Sequence, residues 1–187
     1  GVFTESDRLH HYFWDEYENG HGRYHASFLK FYRRLDEIIG EILSRAGDEV
    51  ELIMLSDHGF CALESEVYVN AWLREQGFLR FRKDPPESLA DIDSTSTAFC
   101  LDPGRIYINV KGKLPMGCVE PGAEYEALRH SLLEGLSGLT APGPAGRKVI
   151  ERIFTGEEIY RGPTCSTAPD LVLHSRRGFD LKGAVNR

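Results

Sequence analysis

The chain has 187 residues, enough for one ordinary domain or for a domain with a small subdomain. Its 22 lysines and arginines stand against 29 aspartates and glutamates, a net charge of −7, which argues against a nucleic-acid-binding face. With 41% hydrophobic and 27% charged residues it has the composition of a globular chain and not of a disordered one, and no apolar run approaches the roughly 18 residues of a membrane span.

The opening GVFTESDRLHH lacks the basic-then-apolar pattern of a signal peptide. Cys61, Cys100, Cys118 and Cys165 form no CxxC pair, which speaks against a cysteine-based zinc site. They read as isolated thiols in a reducing compartment, so the expected location is cytoplasmic. Two disulfides in a secreted protein are the alternative.

Helix and strand signals alternate along the chain. Residues 4–14 begin a helix, with Thr4 or Ser6 as N-cap and Thr4-x-x-Asp7 at capping spacing. Tyr24, Phe28, Phe31, Leu35, Ile38, Ile39, Ile42 and Leu43 recur at steps of three and four and predict a second, amphipathic helix, stopped by Gly47. Residues 50–55 (VELIML) read as a buried strand of a parallel sheet. Residues 67–76 read as a short helix carrying Trp72 and Leu73 and closed by Gly77. Pro85-Pro86 makes 82–97 a loop. Residues 106–110 follow the Pro103-Gly104 turn signal as a strand, and 111–122 read as irregular. Tyr125, Leu128, Leu132, Leu133, Leu136 and Leu139 mark another amphipathic helix. Residues 141–146 read as a surface connector, 149–154 as a strand and 170–173 as a short strand. No closing element is expected after Lys182. The order implies an α/β layered fold, a sheet flanked by helices.

Two constellations carry chemistry. Asp7 and His11, at i and i+4 of a helix, share a face. A carboxylate and an imidazole so placed can grip a divalent metal; the plainer reading is a capping Asp and a surface His. His10 points about 100° away from His11. Ser56-Asp57-His58-Gly59-Phe60 ends the best strand candidate, where open α/β sheets bind ligands. There the chain can turn at Gly59 and let Asp57 and His58 converge; the plainer reading is a polar turn.

Leu-Ser-Asp-His-Gly-Phe after an apolar strand resembles the signature of the alkaline phosphatase superfamily, and most closely its type I phosphodiesterase/nucleotide pyrophosphatase branch. Residues 5–14, ESDRLHHYFW, resemble the branch's TDRxxHxFW segment. Residues 104–112, GRIYINVKG, resemble GRIYINLKG, and 168–173, APDLVL, resemble PDLVV. These matches run in one order over nearly the whole chain. The resemblance implies an alkaline-phosphatase-like α/β domain of which residues 1–187 are an interior part, with 80–120 as an inserted subdomain. It implies two divalent metal ions, zinc or in some branches manganese. Asp7 and His11 would bind one, and Asp57 and His58 the other. The family's Thr or Ser nucleophile and an accompanying Asp are expected upstream of Gly1. A last ligand His is expected in a later GxHxPDG-type segment. On that expectation the 187 residues alone bind metal weakly or not at all and are inactive, while the full-length protein cleaves phosphodiester or nucleotide pyrophosphate bonds.

The expected partner is a small phosphorylated substrate, with no nucleic acid and no membrane; self-association is expected through exposed sheet edges and apolar faces. Rival readings are a phosphomutase or sulfatase-type relative and a non-catalytic α/β binding module with degenerate metal ligands. His21, His25 and His130 read as surface residues, and His174 as a loop histidine. Arg105, Lys111 and Lys113 read as surface charges, with contact to a substrate phosphate as the alternative. Trp14, Trp72 and Phe60 read as packing residues before pocket linings.

Overall fold

In a computed structural model that describes residues 1–142 and 146–185, backbone contacts divide the chain into two compact units, Gly1–Ala62 and Leu63–Arg187. The first is a helix pair followed by a stretch without regular secondary structure. Helix α1 spans Glu5–Glu18 behind Thr4, whose side chain makes no cap hydrogen bond, and it kinks at Phe13. Helix α2 spans His25–Ala46. Gly47 stops it as predicted: at φ +79 its N–H still reaches Leu43 O, a conformation that would strain a residue with a Cβ. The periodic apolar face of α2 is only partly covered. Phe28 is buried, whereas Ile42 and Leu43 remain exposed.

The run at 50–55 differs from its expectation. It forms no strand and pairs with nothing among the described residues. Ile53, Met54 and Leu55 are 81%, 73% and 82% exposed. A strand buried on both faces needs ladder partners at its edges and cover on each face. Apolarity in the sequence states that demand but does not supply the partners.

The second unit holds the main core. Strands β2 (Ala98–Asp102), β3 (Arg105–Ile108), β4 (Ile150–Thr155) and β5 (Leu171–Ser175) form an antiparallel sheet in the order β2-β3-β5-β4. A separate parallel pair joins β1 (Ser65–Tyr68) to β6 (Phe179–Lys182). The fold is therefore mixed α/β, as expected. Alternate residues point inward: Ile106 and Ile108 from β3, Leu171 and Leu173 from β5, Phe179 and Leu181 from β6. Helix α3 (Val69–Glu75) adds Val69 and Leu73, and α4 (Ala123–Ser137) adds Leu132 and Leu136. Gly104 turns β2 into β3 at φ +71, and a Cβ there would lie 2.9 Å from Leu173 O. Buried Asn70 staples α3 to the sheets, its Nδ2 donating to Cys100 O and Gly183 O and its Oδ1 accepting from Cys100 N.

Three strands lie where none was expected. β1 precedes the short helix, β2 directly follows the loop at 82–97, and β6 occupies 179–182, a stretch for which no element was expected. His174 is in β5 and not in a loop. A further short helix, α5 (Gly156–Ile159), follows β4. Of the expected connector at 141–146, residues 143–145 lie outside the described residues. The four cysteines form no disulfide. Among the described residues no helix is long and apolar enough to cross a membrane.

Candidate metal centre

All four candidate ligands fall in the first unit and meet at one place. Helix α1 presents Asp7 and His11 one turn apart, with His11 Nε2 3.6 Å from Asp7 Oδ1. The segment after residue 55 returns to the same spot. It sets His58 Nε2 3.8 Å from that same Asp7 oxygen and 3.6 Å from Asp57 Oδ2. Asp7 is thus common to both imidazoles, a convergence that the expected strand at 50–55 would have placed beyond its carboxyl end.

These separations are too long for hydrogen bonds. They are close to what a shared ion requires: donors about 2.0–2.1 Å from a tetrahedral zinc stand roughly 3.3 Å apart. As bare ion pairs they contribute little, about 0–1 kcal/mol each, because every partner is open to water; the Asp7, His11, His58 and Asp57 side chains are 46%, 64%, 55% and 87% exposed. That openness gives an ion direct access. The donor chemistry, carboxylate plus imidazole, suits zinc. Among the described residues, however, no group of three or more His, Cys, Asp or Glu side chains is arranged to hold one ion, so the donors stand as pairs.

One ring organises the pairs. The Phe60 centroid lies 5.0 Å from His11 and 5.4 Å from His58, and 4.7 Å from His10. Trp14 stacks on Phe60 from another side at 5.9 Å. Phe60 thus packs as expected, but against the imidazoles of the centre itself. Ser56 Oγ donates to His58 O at 2.6 Å, tightening the turn. His58 Nδ1 lies 3.2 Å from Gly59 O. A carbonyl can only accept, so in this contact Nδ1 is the donor, and Nε2 is the ring nitrogen turned toward the carboxylates, the one placed to ligate a metal.

His10 has a different task. Its Nε2 is 2.7 Å from Tyr32 OH, and its ring packs among Phe28, Tyr32 and Phe60. Burial lowers its pKa below the ordinary value, Asp7 pulls the other way, and the neighbouring His11 and His58 add to the lowering. His10 therefore braces α1 against α2 as a neutral ring.

Other candidates resolve differently. His25 is half-buried with Nδ1 2.5 Å from Glu16 O. His130 is exposed beside Glu134 at i, i+4, 3.4 Å away, the same pairing as Asp7 and His11 but with no second imidazole. Lys111 pairs with Glu120 at the surface. Lys113 departs from the expectation of a surface charge: its Nζ donates to Asp170 Oδ1 at 2.9 Å and to Ala168 O at 3.0 Å. Asp170, 5% exposed, also accepts from Ile108 N at 2.8 Å and Tyr125 OH at 3.1 Å. Beside the β3–β5 ladder, one buried carboxylate thus ties the segment 168–173 to Ile108 and Lys113. Burial and the Asp170 charge push the Tyr125 hydroxyl up to about 12.

Comparison with curated proteins and with solved structures gives no match. The family model of the type I phosphodiesterases/nucleotide pyrophosphatases matches residues 1–185, which takes in both candidate pairs and the segments that meet at Asp170. The chain belongs to the type I phosphodiesterase/nucleotide pyrophosphatase family, a hydrolase branch of the alkaline phosphatase superfamily.

Proposed function

We propose that this chain supplies the metal-holding face of a hydrolase that cleaves phosphodiester or nucleotide pyrophosphate bonds in a small phosphorylated substrate. Asp7 and His11 hold one divalent ion and Asp57 and His58 a second, with zinc favoured by the ligands and manganese the alternative. The observation that carries this reading is the meeting of an α1 pair and a 57–58 pair around the Asp7 carboxylate. When bound, such ions lower the pKa of an attacking hydroxyl and stabilise the leaving oxygen of an in-line displacement. The chain's own part is to present donors and keep them aimed. Phe60 sets the two imidazole planes, and the Nδ1 contact to Gly59 O keeps His58 Nε2 turned toward the carboxylates.

Two protein donors per ion fall short of the three or four of a tight zinc site. The 187-residue chain is therefore expected to bind metal weakly and to hydrolyse no phosphodiester by itself. The test is a zinc titration against a competing chromophoric chelator, comparing the wild-type chain with Asp57→Ala/His58→Ala. The variant is expected to lose about tenfold or more in affinity. Equal affinity in the two proteins contradicts the assignment of the second pair.

A further inference from the structure

In the second unit a cleft of ≈ 470 Å³ is lined by Arg147, Lys148, Glu151, Arg176 and Arg177. Four cations and one carboxylate thus share a single concavity on a chain whose net charge is −7. Gathering like charges costs free energy unless something compensates them. Part of the compensation is internal. Arg147 pairs with Glu64 Oε2 at 2.9 Å, donates to Arg177 O at 3.3 Å and lies over the Phe179 ring at 4.6 Å. Glu151 faces His174 Nδ1 at 3.8 Å. Lys148 and Arg176 enter no ion pair among the described residues.

The walls of the cleft are fixed. Arg176 N donates to Val149 O at 2.8 Å, clipping the turn between β5 and β6 to the residues that lead into β4. Phe179 N donates to Arg176 O at 3.1 Å inside that turn. Gly178 O accepts from Glu64 N and Ser65 N, so the turn is held from both sides. A guanidinium already fastened at three points, beside two cations on clipped backbone, loses little freedom when an anion arrives.

We infer that this cleft is a binding site for a small, multiply charged phosphate, of the size and charge of pyrophosphate. The volume is within the range of ligand pockets, about 300–1,000 Å³. Arginine forks and an ammonium match phosphate oxygens in geometry and charge. A long polyanion is disfavoured, because it would also meet the acidic remainder of the chain, whereas a compact anion feels mainly the field within about 10 Å. None of the four metal-ligand candidates lines the cleft, so the inference stands whether or not the proposed metal centre does.

The test uses the full chain, freed of metal on a chelating resin, titrated with inorganic pyrophosphate at constant ionic strength and followed by amide chemical shifts. Saturable binding is expected, with the largest shifts at Lys148 and Arg176. Lys148→Gln/Arg176→Gln is expected to weaken it about tenfold or more, since two charge-assisted contacts are removed. Asp57→Ala/His58→Ala is expected to bind as wild type does. Absence of saturable binding, equal binding by the charge variant, or loss of binding in Asp57→Ala/His58→Ala overturns the inference. Tighter binding of a single-stranded oligonucleotide than of pyrophosphate by the same two residues overturns the choice of a small anion.

Discussion

Asp170→Ala is expected to destabilise the second unit by about 3–5 kcal/mol, the cost of breaking a largely buried ion pair and taking the acceptor from two other donors. One carboxylate serves the Ile108 amide, the Lys113 ammonium and the Tyr125 hydroxyl; its removal takes the acceptor from the amide and the phenol and leaves the ammonium only Ala168 O. Urea unfolding followed by circular dichroism measures the loss. Lys113→Met alone is expected to cost less, because Asp170 keeps its amide and phenol donors. The double variant is expected to recover part of the Asp170→Ala loss, since the stranded ammonium is gone. A change below about 1 kcal/mol for Asp170→Ala would mean that this cluster contributes nothing substantial to the stability of the second unit.

The same cluster makes stability depend on alkaline pH. Tyr125 has its pKa raised from 10.0 to about 12, first by burial and then by the Asp170 charge. A group that holds its proton more tightly when folded contributes stability that is complete below its unfolded pKa and is lost as pH rises through the folded one. The window here is pH 10.0 to about 12. Buried Cys100, raised from 9.0 to about 11 by desolvation, adds a loss of the same sign that begins about one pH unit lower.

The second large effect is at Asp7. Asp7→Asn is expected to lower zinc affinity about a hundredfold, against about tenfold for Asp57→Asn, taking the usual range for groups that support a metal site. The difference comes from position. Asp7 Oδ1 faces both His11 and His58, whereas Asp57 faces His58 alone and is 87% exposed. Asparagine keeps the shape of the side chain and removes the charge, so helix α1 is retained as a control. An Asp57 variant as damaging as the Asp7 variant would rule out the larger role given to Asp7.

What the sequence made legible follows from what periodicity can encode. The helices at 25–46 and 123–137 announce themselves because their apolar residues recur every three to four positions, and Gly47 marks a stop through its own conformational freedom. Asp7 and His11 were readable as a pair because helical spacing alone puts them on one face. The strands at 65–68, 98–102 and 179–182 are four or five residues long, too short for alternation to stand out beside Pro85-Pro86 and charged neighbours. Long-range convergence is not written locally. VELIML reads as a buried strand because it is apolar, yet burial depends on partners elsewhere, and the segment stays exposed. For the same reason the approach of His58 to Asp7, the Phe60 ring between the imidazoles and the burial of Lys113 against Asp170 had no local signature.

Among the described residues, His130 and Glu134 repeat the Asp7–His11 pairing on α4 without a second imidazole or a bracing aromatic ring, and so supply a control inside the molecule. The most direct measurement is a titration of the full chain with Mn²⁺, followed by paramagnetic broadening of the ring signals of its seven histidines. If Asp7, His11, Asp57 and His58 form a metal centre, the His11 and His58 signals broaden at metal levels that leave His130 and His174 sharp. If the histidines broaden together, or His130 broadens first, the four residues are ordinary surface pairs and the metal assignment is wrong.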